Sequence, residues 1–210
     1  DQALGIGRST TVAGYRGAAF GGDNTASAEK SLALGFGASS SGTRGVAING
    51  AVTGQDSISF GINSYVQAVY ATAVGYNADI SSAGSQGTAL GFNAQVTASG
   101  ATALTNSRAS GANSFAAAIT NNTASYGSTA TGSVAMGVTA KATGQNSFAL
   151  GNSTVASGSY SVAHGFQGQT IGSGSFCTGS SSIAEGSSSA VIGGRYGHAK
   201  EKGKIVFGGA

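Results

Sequence analysis

The segment Gln145-Asn146-Ser147-Phe148-Ala149-Leu150-Gly151 ends in a small residue, an apolar residue and a glycine, and this ending recurs along the chain. Clear copies are Ala3-Leu4-Gly5, Ala19-Phe20-Gly21, Ala33-Leu34-Gly35, Ser59-Phe60-Gly61, Ala73-Val74-Gly75, Ala89-Leu90-Gly91 and Ala135-Met136-Gly137. Weaker copies are Ala47-Ile48-Asn49, Ala103-Leu104-Thr105, Ala116-Ala117-Ala118, Ala163-His164-Gly165, Cys177-Thr178-Gly179 and Val191-Ile192-Gly193. Eight of the thirteen intervals between copies are 14 residues long. A repeat held at one period over most of a chain predicts a solenoid.

Apolar and small side chains alternate within each copy. Phe148 and Leu150 share one face of their segment, and Ala149 takes the other. A period of two is typical of β-strands, and a second glycine near the middle of each unit marks a second turn. Strands this short are unstable alone, so successive coils must hydrogen-bond to one another. The sequence therefore predicts an all-β fold, a parallel β-solenoid of about fourteen 14-residue rungs.

Both faces of these strands carry apolar or small side chains. The alanine in the middle of the motif fits the narrow interior of a coil, which leaves the other apolar face exposed on a single chain. Because a long apolar strip rarely stays in contact with water, we expect the chain to associate with copies of itself, most simply as a homotrimer.

Composition and charge narrow the class of protein. The 210 residues include 37 Gly and no Pro, and only 8% are charged, but 40% are hydrophobic, which argues against a disordered linker. Charges balance up to Gly194, so the net charge of +3 comes from the C-terminal tail. A neutral body argues against nucleic acid as a partner, and no apolar run is long enough for membrane insertion. The single cysteine, Cys177, excludes an intrachain disulfide.

The segments 132–137 and 145–151 resemble the head repeats of trimeric autotransporter adhesins of the YadA type. The resemblance covers roughly residues 3–194. It implies a left-handed parallel β-roll with three chains side by side. The same repeat also occurs in tail fibres and appendages of bacteriophages. The resemblance therefore specifies the fold better than it specifies whether the protein is bacterial or from a phage.

The segment 193–207 departs from the repeat and resembles the exit from such a roll in phage fibre proteins. An adhesin would instead continue through a neck into a coiled-coil stalk, and the tail has no heptads. We therefore expect a β-roll repeat domain over 1–194 and a basic exit segment, or the start of a following domain, over 195–210. The first residue is Asp1 rather than Met, which favours a processed product or a piece of a longer protein.

Two stretches are candidate contact loops for a host glycan or protein. One contains three tyrosines, and the other carries about five residues beyond the regular repeat; the candidate residues are Tyr65, Tyr70, Tyr76, Asn121, Asn122 and Tyr126. Binding often resides in loops on a rigid scaffold, and Tyr and Asn suit polar contacts. The alternative is a surface insertion without a ligand.

His164 and Thr178 occupy the position that holds Met136 and Leu150 in earlier copies. On a threefold axis they would form a polar layer that fixes the register of the chains. The alternative is an anion or metal site made by three His164 side chains. Cys177 takes the alanine position of the motif, which predicts a small buried thiol.

An apolar ladder follows the motif glycine, and it either stabilises the stack or forms a carbohydrate-binding strip; its members are Phe36, Ile62, Tyr76, Phe92, Val138 and Phe166.

We expect a structural or adhesive fibre segment on an extracellular or virion surface, which attaches to a host cell as part of a phage tail fibre or appendage. The alternatives are the head of a bacterial surface adhesin and a self-assembling extracellular filament without a ligand. We expect no enzymatic activity, since acidic residues are sparse and none form a pair at glycosidase spacing. No cofactor or metal is expected.

Overall fold

The computed structural model describes residues 2–208, which divide between Thr105 and Asn106 into two compact units. The described residues form strands and turns only, so none of them lies in a helix that could cross a membrane.

The first unit contains β1 to β15, and each strand is two to five residues long. The strands are β1 (Leu4–Ile6), β2 (Thr11–Val12), β3 (Ala18–Gly22), β4 (Thr25–Ala26), β5 (Leu32–Phe36), β6 (Ser39–Ser40), β7 (Val46–Ile48), β8 (Ala51–Val52), β9 (Ile58–Phe60), β10 (Tyr65–Val66), β11 (Thr72–Val74), β12 (Asp79–Ile80), β13 (Thr88–Leu90), β14 (Gln95–Val96) and β15 (Thr102–Leu104). Odd-numbered strands stack in parallel to form a first sheet, and even-numbered strands form a second. The chain thus alternates between the two sheets once per turn.

The second unit shows the same alternation of odd-numbered and even-numbered strands. Its strands are β16 (Arg108–Ala109), β17 (Phe115–Ala117), β18 (Gly127–Ser128), β19 (Val134–Met136), β20 (Lys141–Ala142), β21 (Phe148–Asn152), β22 (Val155–Ala156), β23 (Val162–Phe166), β24 (Gln169–Thr170), β25 (Phe176–Ser180), β26 (Ile183–Ala184), β27 (Ala190–Ile192), β28 (His198–Ala199) and β29 (Ile205–Phe207). The predicted parallel β-solenoid is confirmed, with about fifteen turns of about 14 residues in the described part of the chain.

The additional turn lies in the C-terminal segment. β28 pairs in parallel with β26, and β29 pairs with β27, so the stacking continues past residue 194 to Phe207. The assignment of residues 195–210 to an exit segment or a following domain remains a prediction, and residues 209 and 210 lie outside the described residues.

The interior of each turn is very narrow. From Ala19 to Val191 the first residue of each motif is buried, as at Ala149, Ala163 and Cys177, and equivalent positions pair in successive strands. In the first turn Gly5, rather than the predicted Ala3, pairs with Ala19, and it is exposed. From the second sheet, residues such as Ala156 and Ala184 fill the other half of the interior. The first sheet places mostly alanine inside, whereas the second sheet also places larger residues such as Ile80 and Val96 there.

The serine two positions before the motif alanine closes the preceding turn. Ser161 is buried, and its hydroxyl donates to the carbonyl oxygen of Gly158 at 2.7 Å. Ser175 makes the same hydrogen bond to Gly172, also at 2.7 Å. A buried hydroxyl needs such a partner, so the repeated serine reflects a requirement of the turn rather than surface composition.

The motif glycine has two independent reasons to be glycine. Gly151 has a φ of 125°, which side-chain-bearing residues rarely adopt. A Cβ atom at Gly151 would also overlap the carbonyl oxygen of Gly165 in the next turn. Asn146, with a φ of 54°, lies in the ordinary left-handed region that asparagine tolerates.

Replacing Gly151 with Ala is expected to lower the free energy of unfolding by about 2–4 kcal/mol, because backbone strain and overpacking add at this position. The matched control is Gly174→Asn, where φ is 65° and the nearest atom to a new Cβ, Ser188 Oγ, is 3.7 Å away. Denaturant unfolding of both variants measures the difference. Equal destabilisation by the two substitutions would contradict the close approach of the turns at Gly151.

Candidate functional site

In the first unit, the outward face of the first sheet is apolar, and we call it the apolar face. The third residue of each of its strands points outward, and Ile6, Phe60 and Leu90 are 54%, 48% and 39% exposed. The complete column is Ile6, Phe20, Leu34, Ile48, Phe60, Val74, Leu90 and Leu104. The inward position of the odd-numbered strands from β3 to β15 holds alanine or serine, and the large apolar residues of these strands lie outside.

The second unit has an apolar face of the same kind. Phe148 and Phe176 occupy the first outward position of their strands and are exposed. The third position carries Ala117, Met136, Leu150, His164, Thr178, Ile192 and Phe207. In each unit, the apolar face can bury against a second molecule.

The outward positions of the second sheet are mostly polar. The first unit has Thr11, Thr25, Ser39, Ala51, Tyr65, Asp79 and Gln95 there, and the second has Arg108, Gly127, Lys141, Val155, Gln169, Ile183 and His198. Each unit therefore has one sheet suited to contact with another protein surface and one suited to water.

His164 and Thr178 face each other across adjacent strands of the second unit's apolar face, at the register that the sequence predicts. The His164 side chain is exposed. The hydroxyl of Thr178 accepts a hydrogen bond from the backbone N–H of Gly193 at 2.9 Å. Below this pair, Leu150 continues the apolar column. The pair is thus a polar interruption of an otherwise apolar strip, and its role as an axial layer remains a prediction.

The three tyrosines do not form one cluster. Tyr65 is the half-buried outward residue of β10 in the second sheet. Tyr70 lies in the turn that leads from β10 to β11 and is 58% exposed. Tyr76 lies in the opposite turn, after β11, where its ring stacks on Phe92 with centroids 5.7 Å apart. They offer three separate contact points on the first unit.

The extra residues of the second unit form a surface loop between Ala117 and Gly127. Nine residues connect β17 to β18, whereas four connect β19 to β20. Ile119 is buried and anchors the loop, and the exposed tip is Thr123, Ala124 and Ser125. Within it, Asn121 Oδ1 accepts from the backbone N–H of Thr123 at 3.0 Å, and the N–H of Tyr126 donates to the carbonyl of Thr123 at 3.3 Å. Asn122 is partly exposed.

A groove that the sequence reasoning missed lies in the first unit. Its volume is about 560 Å³, and its lining residues are Phe36, Gly37, Asn49, Gly50, Ala51, Ile62, Asn63, Ser64 and Tyr65. The signal in the sequence was the 12-residue interval between Asn49 and Gly61, which is two residues shorter than the regular repeat. The groove brings Tyr65 together with two members of the apolar ladder.

Charged groups lie on the surface in pairs. In the first unit, the Arg44 guanidinium hydrogen-bonds both carboxylate oxygens of Asp56 and holds the pKa of that carboxyl below its usual value. In the second unit, His198 Nε2 lies 2.8 Å from Glu185 Oε2. Among residues 2–208, His, Cys, Asp and Glu side chains form no group of three or more that could hold a metal ion.

Cys177 is buried at the alanine position, as the sequence predicts. Its Sγ atom lies 3.2 Å from the carbonyl oxygen of Ser182 and donates to it. Burial raises the pKa of the thiol, which disfavours the reactive thiolate.

A comparison with protein-family models matches the YadA head domain repeat (2 copies). The matched segments are residues 13–38, 26–48, 53–78, 82–104, 128–154 and 142–167, which together cover more than half of the chain. Among curated proteins, none matches the chain.

The Cys177 thiol is expected to react with a disulfide reagent at least about 100-fold more slowly in the folded protein than in denaturant, because reaction requires opening of the coil. Absorbance of the released thiolate measures the rate. The matched control moves the thiol outside, as Ser187→Cys in a Cys177→Ser background, since Ser187 is exposed. Rapid labelling of Cys177 at the control's rate would contradict its burial.

Proposed function

The chain belongs to the YadA head repeat family, whose heads are surface-exposed extracellular elements, and from that premise we propose that it is the adhesive head segment of a homotrimeric surface fibre. In this proposal the segment attaches the fibre to a host cell through a surface glycan or protein. Its role is that of a rigid, non-enzymatic binding module. The observation that carries the proposal is the apolar face of each unit, on a chain whose repeats match adhesin heads.

The proposed trimer rests on the contrast between the apolar face of the first sheet and the mostly polar face of the second sheet in each unit. Exposed residues such as Leu4, Phe60 and Phe148 would remain in water on a single chain, and large apolar patches usually mark interaction surfaces. Three parallel copies with their apolar faces inward bury these residues and leave the polar second sheets outside. The polar pair His164 and Thr178 then lies within the interface, where it disfavours shifted alignments of the chains.

Host contact is proposed for the parts of each unit that leave the regular repeat. Tyr70 is 58% exposed in its turn, and the loop between β17 and β18 projects Thr123, Ala124 and Ser125. Tyr and Asn side chains combine apolar contact with hydrogen bonding, which suits glycans and polar protein surfaces.

The second candidate is the same kind of trimer in a bacteriophage tail fibre that attaches to bacteria. The segment 193–207 favours it, since it resembles the exit from rolls in phage fibre proteins. The two candidates share one assembly and differ in the cell that is recognised.

Replacing Leu34 with Glu is expected to convert the trimer into monomers or soluble aggregates, because three carboxylates would be buried without partners in the interface. The matched control is Thr25→Glu, which places the same charge on the outward face of the second sheet. Light scattering after size-exclusion chromatography measures the mass. A wild-type chain that runs as a compact monomer would overturn the proposed assembly, and regular filaments in electron micrographs would favour the ligand-free filament instead.

Purified trimer is expected to bind cultured mammalian epithelial cells, and the loop between β17 and β18 is expected to contribute. In the test variant, residues 118–126 are replaced with the regular turn Gly137-Val138-Thr139-Ala140. We expect at least about tenfold weaker adhesion, measured by flow cytometry with labelled protein, and an unchanged trimer mass.

Binding to bacterial cells but not to epithelial cells would favour the phage fibre. A trimer that binds neither kind of cell would refute the attachment role.

A further inference from the structure

We propose that the groove between Phe36 and Tyr65 is a binding slot for one neutral pyranose ring of a host glycan. This inference rests on the proposed attachment function and names the class of ligand for one specific site.

The slot exists because one turn is too short. β7 ends at Ile48 and β8 begins at Ala51, so two residues connect them, whereas four connect β9 to β10. Strand pairing is regular on both sides of the gap, since Ile48 pairs with Phe60 and Ala51 pairs with Tyr65. The coil therefore stays in register, and the missing residues leave a notch at its edge.

The walls of the notch have the spacing that a sugar ring requires. Adjacent turns are about 4.8 Å apart, so the turns above and below the short one are separated by about 9–10 Å. Phe36 extends from the upper turn and is 68% exposed, and Ile62 extends from the lower turn and is 60% exposed. A pyranose chair carries C–H groups on both of its faces, which suits a position between two apolar walls at about this separation.

Hydrogen bonds and close packing define the shape of the notch without a ligand. The Asn49 side chain takes the place of the missing backbone, because its Oδ1 accepts from the backbone N–H of Phe36 at 3.0 Å. Gly50 forms the floor, where a Cβ would collide with Ser59 Oγ. Ser59 is itself fixed by a 2.7 Å hydrogen bond to Ser64. A preformed site avoids the entropic cost of ordering flexible loops on binding.

The polar groups of the notch suit hydroxyl groups. The amide of Asn63 and the phenol of Tyr65 line it beside the apolar walls. Both side chains can donate and accept hydrogen bonds, as the rim of hydroxyls on a pyranose requires. None of the lining residues is charged, which favours a neutral sugar over a sulfated or acidic one.

The notch remains accessible in the proposed trimer. Ala51 and Tyr65 are outward residues of the second sheet, which the trimer leaves in water. The slot therefore faces the medium rather than the apolar interface.

Two variants remove the slot without disturbing the core. Ala51→Phe fills it from the floor, and replacement of Asn49-Gly50 with the regular turn Gly91-Phe92-Asn93-Ala94 restores a full-length repeat. The matched control is Val155→Phe, which places the same phenylalanine at the equivalent position of β22 in the second unit. Trimer mass and thermal unfolding verify that each variant is folded.

The probes are glucose, galactose, mannose, fucose, N-acetylglucosamine, N-acetylgalactosamine and their short oligomers. Saturation-transfer NMR and an immobilised array measure binding to the full chain. We expect the wild type and Val155→Phe to bind at least one of these sugars, and both slot variants to bind it at least about tenfold more weakly. Phe36→Ala should weaken binding to a similar extent.

Binding of no neutral sugar by the wild type, or equal binding by the slot variants, overturns the slot. So does a preference for sulfated or sialylated glycans that Ala51→Phe leaves intact. Failure of the slot is distinguishable from failure of the attachment function, because cell adhesion by the trimer that survives Ala51→Phe refutes only the slot. A wild-type chain that is monomeric refutes the proposed assembly. The sugar-binding measurement on that monomer then tests the slot alone.

Discussion

Successive turns of this coil approach one another so closely at the motif glycine that no side chain fits between them. Gly151, Gly165 and Gly179 lie in one column, with φ angles of 125°, 115° and 113°, and a Cβ at each would overlap the backbone of the next turn. The parallel hydrogen bonds of two-residue and three-residue strands persist because this contact fixes the position of each turn on its neighbour. A 14-residue turn returns the glycine to the same place, and turns of other lengths keep that place by shortening or lengthening a connection between strands.

The narrow interior has a second consequence, which concerns the large apolar residues. Alanine and serine hold most inward positions, joined by a few valines and by Ile80 and Ile119, and no leucine or phenylalanine among residues 2–208 is buried. A single chain of this kind buries few of its large apolar side chains and exposes many of them, whereas an ordinary globular domain buries most of them. Association through the apolar face corrects this imbalance. The same geometry that limits the core of one chain thus makes a second, shared core the natural source of stability.

The sequence predicted the parts of the fold that repeat and missed the parts that depend on one turn. Alternation at Phe148, Ala149 and Leu150 gave the inward and outward faces correctly, and the 14-residue period placed His164 beside Thr178. β29 was missed because Val206-Phe207-Gly208 comes 15 residues after the preceding motif, lacks a small first residue and follows a charged turn, although its backbone pairs as the earlier strands do. Tyr65, Tyr70 and Tyr76 are near in sequence, but a 14-residue coil places residues five or six apart on different sides. The slot was missed because the 12-residue interval between Asn49 and Gly61 marks a deletion but does not show which side chains line the gap.

Turns that are longer or shorter than the regular repeat produce the most distinctive features of this surface. Regular turns have the same backbone shape at every level, so a strictly periodic coil offers many equivalent weak contacts and no distinct pocket. An insertion, as between β17 and β18, projects side chains beyond this surface and can enter a concave partner. A deletion, as between β7 and β8, produces a concave site whose walls belong to the intact turns on either side. Because the stacked backbone keeps its register through both, such sites can change in sequence and shape without disturbing the coil that carries them.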